Sequence, residues 1–128
     1  MVYDLVLSSG FLAFARHAGV LHAIDERGDR ITGLCGTSSG ALVGALWASG
    51  CRGTLLAERL SAQTPLSMMA FNARVWRGFF SMDAVIKQLK EWLPPRIEDL
   101  PMPFGVGVMN PDGQSQVLTR GPLPHAVA

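Results

Sequence analysis

Residues 31–50 read ITGLCGTSSGALVGALWASG, and the way this run must fold decides the architecture around it. Ile31 to Cys35 is a short apolar run, Gly36 to Gly40 spells Gly-Thr-Ser-Ser-Gly, and Ala41 to Ala48 consists of helix formers. A strand that enters a tight turn and leaves as a helix holds the middle residue, Ser38, on a sharp elbow with its hydroxyl outward. The flanking glycines, Gly36 and Gly40, answer a spatial need, because the bend presses the helix start against the strand and leaves no room for a Cβ. Taken alone, G-x-S-x-G also fits an ordinary turn in which Ser38 or Ser39 caps the helix, so the surroundings must decide.

Working outward, Val2 to Ser8 is mostly apolar without clean alternation, which predicts a parallel strand covered on both faces. From Phe11 to Arg27 two adjoining stripes recur at helical spacing, Ala13, His17, Val20, Ile24 and Phe14, Ala18, Leu21, with Gly28 as C-cap. Ser39 to Ser49 is the next helix, closed by Gly50. Strand, helix, strand, helix implies a parallel sheet with right-handed crossovers. Thr54 to Ala62 predicts a further helix. Ser81 then caps one whose apolar face is Met82, Val85, Ile86, Leu89, Trp92 and Leu93, stopped by Pro94 and Pro95. Phe104 to Met109 and Gln116 to Thr119 flank Asn110 to Gly113, a strand-turn-strand pattern that predicts a hairpin.

Composition bounds the rest. A chain of 128 residues with 48% apolar and 16% charged side chains suits a single globular domain. The net charge of +1, with no block of like charge, gives no footprint for nucleic acid. Three His and two Cys lack ligand spacing, so no structural metal site is expected, and serine chemistry implies no metal or organic cofactor. Cys35 and Cys51 read as reduced, buried thiols of a reducing compartment, and the N-terminus, with Asp4 and no basic segment, reads as a strand rather than a signal peptide. Ile31 to Cys51 is uncharged and long enough to raise the question of a membrane span, but its five glycines and five Ser/Thr residues favour a folded strand-turn-helix. Gly40 and Gly44 give that helix a small face with which to lie close on the sheet.

A serine hydroxyl needs a base within reach and donors for the oxyanion that forms when it attacks a carbonyl. The first strand ends at Ser8-Ser9-Gly10 and turns into a helix, beside the second strand-to-helix turn at the carboxyl edge of the sheet. Backbone N–H groups of Ser9, Gly10 and Phe11, with that of Ser39, are therefore the candidate oxyanion donors next to Ser38, and Gly36, Thr37, Ser38, Ser39 and Gly40 form the elbow. An ordinary strand-to-helix connection is the alternative for the Ser9–Phe11 loop. A Ser-acid-His triad could be written with Asp99 or Asp112 and His125, but the chain is short for that fold and His125 stands at a loosely held terminus. His17 reads as a hydrogen-bonded packing residue, His22 as surface, and Cys35 as packing, pointing away from Ser38 by strand alternation. Trp47, Trp76 and Trp92 read as core or interface residues.

Leu5-Val6-Leu7-Ser8-Ser9-Gly10-Phe11-Leu12, then Ala18-Gly19-Val20-Leu21, Gly36-Thr37-Ser38-Ser39-Gly40-Ala41-Leu42 and Ala48-Ser49-Gly50 resemble the opening of the patatin-like phospholipases. Ile97 to Pro101 and Gly121-Pro122-Leu123 resemble a later part of the same domain. The resemblance implies a three-layer α/β parallel-sheet fold, incomplete in this chain, with residues 1–128 as the N-terminal portion of one domain. It implies a serine acyl hydrolase of lipid esters, of phospholipase, lysophospholipase or esterase type. In that family Ser38 would be the catalytic nucleophile, served by a single aspartate without histidine. That aspartate belongs to a D-G-G or D-G-A motif expected beyond the chain end; Asp112-Gly113, followed by Gln114, reads as a turn. The family's glycine-rich oxyanion loop is represented by Gly10 alone, without its arginine.

Expected partners are a lipid or ester substrate and transient contact with a membrane surface, not nucleic acid, together with self-association through an unfinished sheet edge. A cytoplasmic protein, peripheral to membrane, is the matching location. The Met68 to Phe80 segment, with Arg74 and Arg77, is either packing beneath a loop or an acyl-chain wall or lid at a lipid surface. The competing functional readings are a catalytically incomplete lipid-binding or interaction module and an acyltransferase.

Overall fold

Apolar runs become four strands in the computed structural model, which describes residues 1–10, 13–62 and 83–128. They are β1 (Val2–Leu7), β2 (Arg30–Thr37), β3 (Phe104–Met109) and β4 (Ser115–Leu118), in sheet order β1-β2-β3-β4. The first three are parallel and β4 returns antiparallel, so the sheet is mixed. Among the described residues five α-helices accompany them: α1 (Phe14–Arg27), α2 (Ser39–Ala48), α3 (Gly53–Ala62), α4 (Asp83–Trp92) and α5 (Leu123–Val127). The expected Ser81 cap, Met82, the Thr64–Phe80 segment, Phe11 and the side chain of Val85 lie outside the described residues.

The punctuation of the sequence acts where it was expected. Gly28 takes the left-handed conformation, φ 68°, and its N–H closes α1 on the carbonyls of Ile24 and Asp25. Between β3 and β4, Asn110 Oδ1 accepts from the N–H groups of Asp112 at 3.1 Å and Gln114 at 2.8 Å, while Gly113 supplies φ 79°. Helix α1 begins at Phe14, later than its apolar stripes suggest, because the Ala13 N–H is taken by the Gly10 carbonyl in a preceding turn.

Helix α2 explains the long uncharged run. Nine of its ten residues are buried, Leu42 being the half-buried exception, so no position on it tolerates a charge. It lies across β1, β2 and β3, with Gly44 against Leu34 and Phe104, and it meets α1 and α5 on its flanks. Leu7, Leu34, Phe104 and Val106 from the strands pack there against Val43, Leu46 and Leu21. Asp25 of α1 fastens the outer side: it accepts from Trp47 Nε1 at 2.9 Å and pairs with Arg52, whose guanidinium lies 3.7 Å from the Trp47 ring centroid.

One expectation is corrected. A sheet order that advances in one direction, with right-handed crossovers, puts successive helices on the same face, and α1 does pack against α2. Among the described residues β1 is therefore an edge strand with one open face, on which Val2 is 64% and Val6 75% exposed. Met109 and Val117 are exposed on that same face, and Cys35, expected as buried, is half-buried among them beside Gly105. Cys51 is buried, and burial pushes its thiol up, keeping it protonated. Among the described residues no helix is long and apolar enough to cross a membrane.

A second fastening joins the turn at Ile97–Asp99 to the start of α5. Glu98 accepts its own N–H, the Arg96 Nε at 2.6 Å and the Gly121 N–H at 2.9 Å, and these bonds hold its carboxyl down at about 2. A carboxylate whose folded pKa lies below its ordinary 4.5 stabilises the fold above that pH and loses the contribution as pH falls toward about 2. Glu98→Gln is accordingly expected to lower stability at neutral pH, with the difference from the parent closing between about 4.5 and about 2 in denaturant titrations across pH.

Candidate active site

Ser38 sits between β2 and α2 with φ 53° and ψ −122°, and among the described residues it is the one non-glycine with positive φ. Backbone strain of this kind costs about 1–3 kcal/mol and persists only where the surroundings over-determine it. The surroundings here are the glycines. A Cβ on Gly36 would lie 2.6 Å from the Ala41 nitrogen, and one on Gly40 would lie 2.7 Å from the Leu7 carbonyl carbon and the Ser8 oxygen. The first turn of α2 is thus pressed against its own strand and against the end of β1.

The hydroxyl of Ser38 is not a cap. Ser38 occupies the N-cap position, and its carbonyl accepts the Leu42 N–H at 3.1 Å, yet its side chain makes no capping bond and the residue is exposed. Ser39 is buried, and its Oγ donates to the Gly10 carbonyl at 3.0 Å across 29 positions of sequence. That bond ties the elbow to the loop leaving β1. In the loop, Ser9 is exposed and Gly10 half-buried, while the third expected donor, Phe11, lies outside the described residues. His17, on the inner side of α1, places Nε2 2.8 Å from the Ser8 carbonyl oxygen.

Sequence reasoning took Ser39 for a backbone donor and missed its side chain. The signal available was a hydroxyl at the head of an otherwise apolar helix, where a buried polar group must find a partner. None of the other candidates is hydrogen-bonded to the serine. Asp112 is an exposed turn residue, Asp99 is exposed on the turn at Ile97–Asp99, and His125 is exposed on α5. His22 is on the surface, 3.4 Å from Glu26. Cys35 faces the open side of the sheet, where a Cβ on Gly105 would meet its sulfur at 3.5 Å. Among the described residues none is hydrogen-bonded to Ser38 Oγ.

The mixed α/β sheet thus carries an exposed serine on a strand-to-helix elbow, beside a second strand-to-helix loop. The patatin-like phospholipase family model matches residues 5–116, and the chain belongs to that family. It is also similar to uncharacterized NTE family proteins of Mycobacterium bovis and of two Mycobacterium tuberculosis strains. Each is 32% identical over 127 residues, covering 96% of this chain and 35% of the relative. The chain thus spans about a third of the length of these curated relatives.

The two small positions on α2 are expected to differ sharply. Gly40→Ala drives a Cβ into backbone atoms that cannot yield and is expected to cost about 3 kcal/mol. Gly44→Ala meets side-chain ends alone, Leu34 Cδ2 at 2.6 Å, which must shift, and Phe104 and Leu7 at ordinary contact, and helix propensity returns about 1 kcal/mol, so it should stay within about 1 kcal/mol of the parent. Chemical denaturation of both variants measures the contrast.

Proposed function

We propose that the protein is a serine acyl hydrolase of lipid esters, for which this chain supplies the nucleophile and the oxyanion donors as the N-terminal part of a patatin-like domain. The observation that carries this reading is the strained, exposed Ser38 whose hydroxyl is released from capping. Ser38 Oγ attacks the ester carbonyl and passes its proton to an aspartate carboxylate. The N–H groups of Ser9, Gly10 and Ser39 hold the oxygen as it becomes negative, with Phe11 a further donor by sequence. The proton then goes to the departing alcohol, and water releases the acyl group as a fatty acid. Family membership supports a hydrolase, and the small glycine face of α2 supports the tight approach that the geometry requires.

For the 128 residues by themselves, the alternative is better supported: a catalytically incomplete lipid-binding module. The specific observation is that no carboxylate among the described residues is hydrogen-bonded to Ser38. A hydroxyl without a base is a weak nucleophile at neutral pH.

Two measurements test these readings. A fluorophosphonate probe applied to the complete protein is expected to label Ser38, and labelling that survives Ser38→Ala removes Ser38 from the mechanism. The isolated 128-residue chain is expected to bind a fatty acid or lysolipid without turnover. Ester hydrolysis by that chain, abolished by Ser38→Ala, would overturn the incomplete-module reading.

A further inference from the structure

We propose that His17 is a positioning residue for the oxyanion loop, holding the Ser8 carbonyl inward so that the Ser9 N–H faces outward, on the exposed side shared with Ser38. The proposal rests on the reading of Ser38 as nucleophile and Ser9 as donor, and adds the group that orients the donor. A carbonyl oxygen carries no proton, so at 2.8 Å from Ser8 O the ring nitrogen must be the donor, and Nε2 bears the hydrogen. His17 is 9% exposed, on the inner face of α1 one turn from the fully buried Leu21, so its ring has little freedom to swing.

In a trans peptide the C=O and the following N–H point in opposite directions. Fixing the Ser8 oxygen on His17 therefore fixes where the Ser9 hydrogen points. Two residues on, a second carbonyl is held as well: Gly10 O accepts from Ser39 Oγ at 3.0 Å and from the Ala13 N–H at 3.1 Å. Both carbonyls are held by described groups. This matters because a flipped peptide would present an oxygen, instead of a hydrogen, to the charge developing on a substrate. The loop has Gly10 as its one glycine, so its preference for the donor-outward state must come from such anchors rather than from glycine-driven backbone geometry.

The test uses His17→Leu, which removes the donor, and His17→Gln, whose amide N–H reaches a similar distance, in the complete protein. Active sites are titrated so that rates refer to folded molecules. His17→Leu is expected to lower the fluorophosphonate labelling rate and the ester kcat by about 10- to 100-fold, less than the 10²–10³ of deleting a donor. KM should change little, backbone amide exchange should rise at Ser9 and Gly10 without rising in α2, and His17→Gln should restore most of the rate. A parental labelling rate with unchanged loop exchange in His17→Leu overturns the proposal. A loss that tracks a lowered Tm and is not rescued by glutamine overturns it too. If the parent is not labelled at Ser38, the hydrolase reading fails, and the amide exchange alone decides whether His17 anchors the loop.

Discussion

The structure depends on one close approach, that of the first turn of α2 to the backbone at the end of β1. At Gly40 there is space for a hydrogen and nothing larger, because the Leu7 and Ser8 carbonyls stand where a Cβ would be. Gly36 leaves the same clearance on the strand side. This contact sets the unusual φ of Ser38, brings two strand-to-helix bends side by side, and lets Ser39 reach across to Gly10. Remove the clearance and the helix must lift, taking with it both the strain at the serine and the bond that joins the bends.

Much of this was legible in the sequence because it is local. The elbow follows from Gly36, Ser38 and Gly40 between a strand and a helix pattern; the end of α1 follows from Gly28; the hairpin follows from Asn110 to Gly113. What the sequence hid is what depends on strand order. The open face of β1 could not be read from Val2 to Leu7, since an apolar strand looks the same whether helices lie on both sides or one. Only the common side of α1 and α2 exposes Val6 and leaves Cys35 half-covered.

The candidate site divides along the same line. Ser38 is evident from five residues, and family membership agrees with the longer pattern around it. The partners of the oxyanion loop are not evident, because His17 to Ser8 and Ser39 to Gly10 are contacts between elements, made by residue types that elsewhere serve as packing or as caps. A partner for the Ser38 hydroxyl cannot be read from a local motif, and among the described residues no carboxylate is hydrogen-bonded to it.

The sheet order has a mechanical consequence. Among the described strands, β2, which leads into Ser38, is laced to neighbours on both sides, whereas β1, which leads into the Ser8–Gly10 loop, is laced on one. The two parts of the candidate site therefore stand on supports of unequal stiffness: thermal fraying reaches the Ser8–Gly10 loop before it reaches Ser38. Side-chain tethers running from the helices to that loop make up for what an edge strand lacks, and they set how well the site keeps its shape as the temperature rises.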